Sequence, residues 1–461
     1  MSGETKDVIN ITRAIDAGPF TSFQIVAIAL CSLVAFLDGL DSQSIAVAAP
    51  LIAEKLGLAR TALGPIFSAA LLGAMIGALT FGPLGDRFGR KRCLIAAAVI
   101  FGVFTLLTAR VASYNELLAV RFAAGIGLGG ATPCFIALAS EYAPQRRRAM
   151  IASLIWAAFP LGGTVSGFLN AYILANYGWP TIFWIGGALP LVVAAVLLLW
   201  LPESIRFLIA DARYPQEARA IVRRMVPATS PNAQIVADEE HLKGLPLKHL
   251  FSEGRVAGTL LLWIPFVMAF GTLATVVVWT PALLRANGIA PSQAAVVIGF
   301  HGIGALIGMA SAGRLMERFG TTAVLVPAFV LGTLATGALG FAAGSVSGMS
   351  LVIGLVGVFV GMGASGAIAL ATLTYPTAIR STGVGWAMGM GRFGQVIAPL
   401  TTSLMLGLGL GTVQIFLATA AAPFIAAVFI LLLKWYPAAP NVDPAAAAAS
   451  PIIPKALVHK T

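Results

Sequence analysis

Gly82-Pro83-Leu84-Gly85-Asp86-Arg87-Phe88-Gly89-Arg90-Lys91-Arg92 is a short basic turn between two long apolar runs. Its core returns as Gly313-x-x-x-Glu317-Arg318-Phe319-Gly320, an offset of 231 residues from Gly82 to Gly313. A second landmark, Pro144-x-x-x-Arg148, returns as Pro376-x-x-x-Arg380 at an offset of 232. Two independent landmarks at nearly one spacing are the mark of a parallel duplication. Such a duplication places any binding site at the seam between the two repeats.

The repeats are made of membrane spans. The chain of 461 residues is 58% hydrophobic and only 10% charged, against about 25% charged in soluble domains. A span needs roughly 20 apolar residues. Twelve stretches meet that length: 22–46, 61–83, 93–110, 116–140, 149–175, 180–201, 257–284, 292–313, 321–343, 348–372, 382–407 and 411–434. The expectation is therefore an all-α membrane protein of twelve helices in two pseudo-symmetric six-helix bundles. Its parts would be an N-terminal bundle over 1–201, a cytoplasmic linker over 202–256, a C-terminal bundle over 257–434 and a cytoplasmic tail over 435–461. Within the linker, Pro215-Gln216-Glu217-Ala218-Arg219 opens a surface helix. The run Ala445–Ala449, flanked by proline, reads as flexible tail.

Charge placement sets orientation and excludes nucleic acid. With the N-terminus inside, 23 of the 29 Lys and Arg fall in cytoplasmic segments. Lys55, Arg60, Arg110 and Arg285 fall outside, and Arg121 and Arg392 lie within spans. That bias predicts both termini in the cytoplasm. The net charge of +11 is thus a topology signal and no nucleic-acid surface. Residues 1–20 are polar and the first apolar run is full-length, so no cleavable signal is expected. Cys31, Cys93 and Cys134 lie in or beside spans without paired spacing, which predicts inert buried thiols.

Charges inside spans ask for a function. Asp38 and Asp41 stand in Phe36-Leu37-Asp38-Gly39-Leu40-Asp41. A carboxylate at mid-bilayer depth costs about 2.5–3.5 kcal/mol even on insertion scales. Spaced i, i+3, the two share a helix face and couple. Paired carboxylates resist ionising together, so such a pair loads and releases a proton. Gly39 between them allows close helix approach or local unwinding. The competing reading is a buried pair that only binds neighbouring helices.

Arg392 lies about eleven residues into the eleventh span, in Gly389-Met390-Gly391-Arg392-Phe393-Gly394-Gln395. Its guanidinium fork suits a carboxylate. The glycines at 389, 391 and 394 leave room for a flat ring beside it. The alternative is an ion pair with Asp38 or Asp41 across the halves. His301, near the middle of span eight, either bonds a substrate hydroxyl or packs in the interior. Gln395 and Gln43 are candidates for polar contacts, and Trp386, Trp156, Phe159 and Trp279 for ring contacts or for ordinary packing. Glu141, at the end of span four before Arg146-Arg147-Arg148, reads as a gate acid or a proton-coupling acid.

The Gly82–Arg92 turn resembles the signature loop of the major facilitator superfamily, with Gly82, Asp86, Arg87, Gly89 and Arg90 in the motif. In its second copy Glu317 stands for Asp, Arg318 is kept and the trailing basic run is missing. Leu201-Pro202-Glu203-Ser204-Ile205-Arg206-Phe207-Leu208 resembles the segment after span six in sugar-porter-like branches. Arg121-Phe122-Ala123-Ala124-Gly125-Ile126-Gly127-Leu128-Gly129-Gly130 resembles that superfamily's fourth-span motif. Asp38-Gly39-Leu40-Asp41 is similar to the first-span DGxD of its aromatic acid:proton symporter branch. The resemblance implies proton-coupled import of small aromatic carboxylates of the hydroxybenzoate or hydroxyphenylpropionate type across the bacterial inner membrane, by a monomer. It gives Arg121 a part in proton movement, which a snorkelling role near the membrane surface opposes. The loop residues, with Glu317 and Arg318, would form a latch that pairs across helices in one conformation only.

Other chemistry finds little support. There is no G-x-x-x-x-G-K-[ST] to cradle a nucleotide, and Gly125-x-Gly127-x-Gly129 lies inside a span instead of after a strand. Four scattered histidines give no metal site, no cofactor is called for, and no nucleophile–base pairing suggests an enzyme. The competing expectations are a proton-linked carrier of a sugar, dicarboxylate or drug, and a transporter-like chemoreceptor for aromatic acids.

Overall fold

The computed structural model describes residues 8–11, 15–16, 18–210, 215–225, 234–236, 250–251, 255–375, 379–433 and 435. Pro376 and the alanine-rich tail lie outside the described residues. Among the described residues twelve long helices carry the fold: α1 Ser22–Lys55, α2 Leu63–Phe88, α3 Arg90–Thr108, α4 Tyr114–Tyr142, α5 Arg148–Asn176, α6 Trp179–Trp200, α7 Val256–Ala286, α8 Pro291–Phe319, α9 Thr321–Ala342, α10 Val346–Thr374, α11 Arg380–Gly407 and α12 Thr412–Leu433. Each coincides with one expected span, and several overrun it, because a helix continues past the hydrocarbon wherever nothing breaks it. Eleven are apolar enough to cross a membrane on composition alone. The exception is α11, whose hydropathy is lowered by Arg392 and Gln395, as befits a helix facing a polar interior.

Backbone geometry repeats the duplication. Among the described residues six glycines adopt positive φ: Gly57, Gly89 and Gly178, then Gly288, Gly320 and Gly409, each of the second set 231 residues beyond its counterpart. These are turn positions where a Cβ would strain the chain. The helix caps repeat as well. Ser113 accepts from the Glu116 amide and Ser345 from the Gly348 amide. The Arg148 Nε donates to the Ala143 carbonyl, and the Arg380 Nε to the Tyr375 carbonyl.

Packing follows the same rule. In the first half α1 packs on α5, α2 on α4, and α3 on α6; in the second α7 packs on α11, α8 on α10, and α9 on α12. The halves meet through α5 with α8, α2 with α11, and α1 with α7. Small residues allow these crossings: a Cβ on Gly167 would collide with Gly299.

The two ends of the bundle differ. At the end away from the Gly82–Arg92 turn, one apolar cluster unites both halves, with Ile52, Leu63 and Phe67 against Trp279, Leu283 and Phe416. There the Phe67 and Trp279 rings meet edge to face at 5.7 Å. The Ser68 hydroxyl donates to the Val396 carbonyl at 2.7 Å, and the Ser403 hydroxyl to the Thr61 carbonyl at 2.5 Å. Toward the turn the apolar clusters separate, one built from the first half and two from the second. The halves therefore touch at one end and part at the other.

The segment after α6 forms the helices Ile205–Ala210 and Pro215–Met225, the second being the expected surface helix. Its Ala218, Val222 and Met225 are buried while its arginines stay exposed. A short parallel pair joins β1 (Val8–Asn10) to β2 (Gln234–Val236), with Ile9 opposite Ile235.

Candidate functional site

Two glycines aim the aspartates. A Cβ on Gly39 would strike the Phe159 carbonyl of α5, and one on Gly162 would strike the Phe36 carbonyl of α1. With glycine at both, the helices cross backbone to backbone and α1 runs unbroken through Gly39. Of the two expectations for this glycine, close approach is what the structure adopts. Asp38 and Asp41 consequently face away from α5, toward the interior.

The aspartates have separate surroundings. The Arg121 Nη2 on α4 donates to the Asp41 Oδ2 at 2.8 Å, and both side chains are 2% exposed. Arg121 thus points inward and does not snorkel; its guanidinium lies 6.0 Å from the centre of the Phe183 ring. The pair is held by a single hydrogen bond. Asp41 Oδ1 and the Arg121 Nε and Nη1 are buried without a partner. Buried polar atoms are usually satisfied, so this pair stands out from the ordinary packing around it. Nearby, the Gln43 Oε1 is likewise unpartnered, and Ser44, Ser166 and Asn170 tie α1 to α5 through mutual hydrogen bonds.

Asp38 is only partly buried and has no ion pair among the described residues. Ser42 donates to its backbone carbonyl at 2.9 Å and reaches its Oδ1 at 3.5 Å. Across the seam, Arg392 stands close enough for its charge to act on the Asp38 carboxylate, as does that of Asp41. Arg392 is half-buried near the middle of α11 and has no hydrogen bond or ion pair among the described residues. The planar fork of a guanidinium has the geometry to receive a carboxylate by two parallel bonds.

The glycines around Arg392 divide into two sets. Gly391 packs on the Phe270 ring and Gly394 on the Val267 backbone, so both serve the α7 contact. Gly389 faces open space, as does Gly385 one turn earlier. Helical spacing puts Gly385, Gly389 and Arg392 on one face. Gln395 lies one turn further on, its Oε1 buried without a partner. Trp386 stands on a different face, 44% exposed and stacked on Trp263 at 6.2 Å. It is not brought to Arg392. His301 is buried on α8 and neither ring nitrogen has a partner. Trp279 is absorbed into the closed end, and Phe159 is 38% exposed.

At the turn end a second polar network lies wholly in the first half. Arg90 pairs with Asp86 at 3.0 Å and also with Glu141, whose side chain is 3% exposed. The Ser204 hydroxyl donates to Glu141 at 2.6 Å. Glu203 accepts from the Lys91 amide at 2.8 Å and the Ser204 amide at 2.9 Å, and its carboxylate lies against Gly89. The Tyr142 hydroxyl donates to the Glu203 carbonyl. The sequence places Glu203 and Ser204 in a segment that resembles the stretch after span six of sugar-porter-like branches, and that resemblance was the available signal for this role. Arg87 and Arg318 lie over the rings of Phe88 and Phe319, again 231 residues apart. Glu317, which stands where the first copy of the motif has Asp86, has no ion pair among the described residues.

Comparison with known proteins accounts for this arrangement. The chain matches the Major Facilitator Superfamily over residues 31–356 and 266–461. It belongs to that superfamily. It is 34% identical to the 4-hydroxybenzoate transporter PcaK of Pseudomonas aeruginosa over 92% of this chain and 95% of that one. It is 37% identical to the 3-(3-hydroxy-phenyl)propionate transporter of Escherichia coli, over 89% and 94%, and 34% identical to a gallate transporter of Pseudomonas putida, over 92% and 94%. Within the superfamily these relatives place it in the aromatic acid branch, as a multi-pass membrane transporter. The fold is shared with the E. coli xylose transporter XylE in a partially occluded inward open conformation, at TM-score 0.71 and 18% identity over 89% of this chain and 98% of that one.

Proposed function

We propose that this protein is a proton symporter that imports small aromatic carboxylates by alternating access. It works as a monomer in the bacterial cytoplasmic membrane with both termini in the cytoplasm. Arg392 supports this most directly: a half-buried guanidinium with no partner among the described residues, beside open space at Gly385 and Gly389 and opposite Asp38. The transporters of hydroxybenzoate, gallate and hydroxyphenylpropionate to which the chain is similar all carry an aromatic ring with a carboxylate, which is the shape that space and that charge would receive.

With the Gly82–Arg92 turn on the cytoplasmic side, the parted end is the cytoplasmic one and the site opens inward. A proton arriving on Asp38 removes the anion that faces Arg392. The guanidinium then takes the substrate carboxylate by its two parallel donors. Asp41, held by Arg121, is the second titratable station, and water reaching its unpartnered oxygen would link the two. Gln395 and His301 are available for ring hydroxyls. Glu141, with Arg90 and Asp86, holds the cytoplasmic face of the first half together. Asp86, largely exposed and paired here with Arg90, would exchange that partner for one on the second half when that face closes.

The test is uptake of radiolabelled 4-hydroxybenzoate into proteoliposomes, with and without an acid-outside gradient, competed by a panel of aromatic acids. Gradient-driven accumulation blocked by aromatic carboxylates supports the reading. Binding without counterflow would make the protein a receptor instead, and competition by sugars or cations alone would change the substrate class.

A further inference from the structure

Away from the seam, at the turn end of the first half, a cavity of about 430 Å³ lies between the start of α3, the end of α6 and the surface helix Pro215–Met225. Neither α3 nor α6 belongs to the main contacts between the halves; they pack on α4, α1 and each other. The cavity is therefore on the lipid-facing periphery, at the level where α6 leaves the hydrocarbon.

Its walls are of two kinds. On one side are Lys91, Arg92 and Arg224. On the other the cavity continues onto Leu198, Leu199 and Trp200, which are 61%, 75% and 66% exposed and make an apolar strip around the last turn of α6. A tryptophan at a helix end is the usual interfacial anchor. Two acids also line the cavity, Glu203 and Glu217. Glu203 is occupied in accepting the Lys91 and Ser204 amides. Glu217 is exposed on the surface helix. The Lys91 Nζ donates to the Leu198 carbonyl at 2.9 Å, so the ammonium is held at the junction of the basic and apolar walls. The Arg224 guanidinium lies 5.6 Å from the centre of the Phe23 ring, which fixes the surface helix against α1.

We propose that this cavity is a binding site for an anionic phospholipid. The headgroup phosphate sits between Arg92 and Arg224 beside Lys91, and an acyl chain follows the Leu198–Trp200 strip. Basic pockets between membrane helices have this pairing of charge with an apolar exit. A free phosphate would use the same donors and leave the apolar strip bare, so lipid is the favoured source. Bound there, the lipid ties the surface helix to the start of α3, directly beside the Gly89–Glu203 contact of the turn.

Native mass spectrometry of the full-length protein in detergent tests this, with phosphatidylglycerol, phosphatidylcholine and inorganic phosphate in separate arms. The expected result is preferential retention of phosphatidylglycerol over phosphatidylcholine. Arg92→Gln and Arg224→Gln should each cut that retention about fivefold, while Arg223→Gln, on the same helix but outside the cavity, leaves it unchanged. Arg224→Lys, which keeps the charge, should retain most of it and guards against a folding artefact. Equal losses at Arg223 and Arg224, equal retention of the two lipids, or displacement of lipid by inorganic phosphate would each overturn the proposal.

Discussion

Glu54 and Arg285 bond to each other from equivalent positions of the two repeats. They are 231 residues apart, the same offset that relates the six left-handed glycines, and the Arg285 Nη2 donates to the Glu54 Oε2 at 2.5 Å. Equivalent positions meet where the pseudo-two-fold axis passes between α1 and α7. Identical charges there would repel, and the pair of opposite charges instead fastens the closed end. Exposed pairs contribute about 0.2–1 kcal/mol, enough to shift a two-state equilibrium up to about fivefold. Glu54→Gln should therefore raise the population opened at this end. Spin labels on Ala59→Cys and Ala290→Cys would report it as a longer distance by double electron–electron resonance. The exchange Glu54→Arg with Arg285→Glu should restore the short distance; if it does not, the pair is no fastener.

Asp41→Asn leaves the Arg121 guanidinium buried and unpaired. Removing one partner of a buried pair costs roughly 3–5 kcal/mol. A clear fall in Tm, followed by intrinsic fluorescence in detergent, is expected. Adding Arg121→Gln should recover much of the Tm without recovering proton-driven accumulation, which separates the structural share of this pair from its part in transport.

Asp38→Asn should behave differently, since among the described residues Asp38 has no ion pair that its loss would break. The fold should survive with little change in Tm. Counterflow of labelled substrate should persist while accumulation against a gradient disappears. In the unaltered protein uptake should rise as the outside pH falls, if protonation of Asp38 releases Arg392 as proposed; in Asp38→Asn that rise should be flattened. A variant that kept both uphill transport and its pH dependence would remove Asp38 from the proton path.

The division of labour between the aspartates was only partly legible in the sequence. Two acids in an apolar run announce a site, and the i, i+3 spacing gives them a common face. It does not say that Arg121, eighty residues on, reaches Asp41 and leaves Asp38 for Arg392. That depends on how α1 and α5 cross at Gly39 and Gly162, which is a fact of packing. The fold was more legible, because span length and charge exclusion are set by the bilayer and act on each helix alone. The duplication could be read from two loop motifs, yet its fullest record is in the positive-φ glycines, of which only Gly89 and Gly320 belong to a repeated motif. Trp386 shows the limit: six residues from Arg392 along the chain, it lies on another face of the helix.

Arg392→Lys should raise the apparent KM about tenfold, which corresponds to about 1.4 kcal/mol. The lysine keeps the charge but not the two parallel donors. kcat should change less than KM, because the loss falls on binding. Unchanged KM for 4-hydroxybenzoate uptake would take Arg392 out of the substrate site.

The glycines of α11 provide a control that needs no charge change. Gly389 faces open space while Gly394 touches the Val267 backbone, although both flank Arg392 within one turn. If the open space is where the ring lies, Gly389→Leu fills it and should raise KM with little change in Tm. Gly394→Ala instead drives a Cβ into the α7 backbone and should lower Tm, overpacking of this kind costing about 1–3 kcal/mol. Measuring both quantities for both variants distinguishes a ring pocket from general intolerance of α11. A Gly389→Leu protein that bound and moved substrate normally would mean the ring lies elsewhere, on the Gln395 or His301 side of the seam.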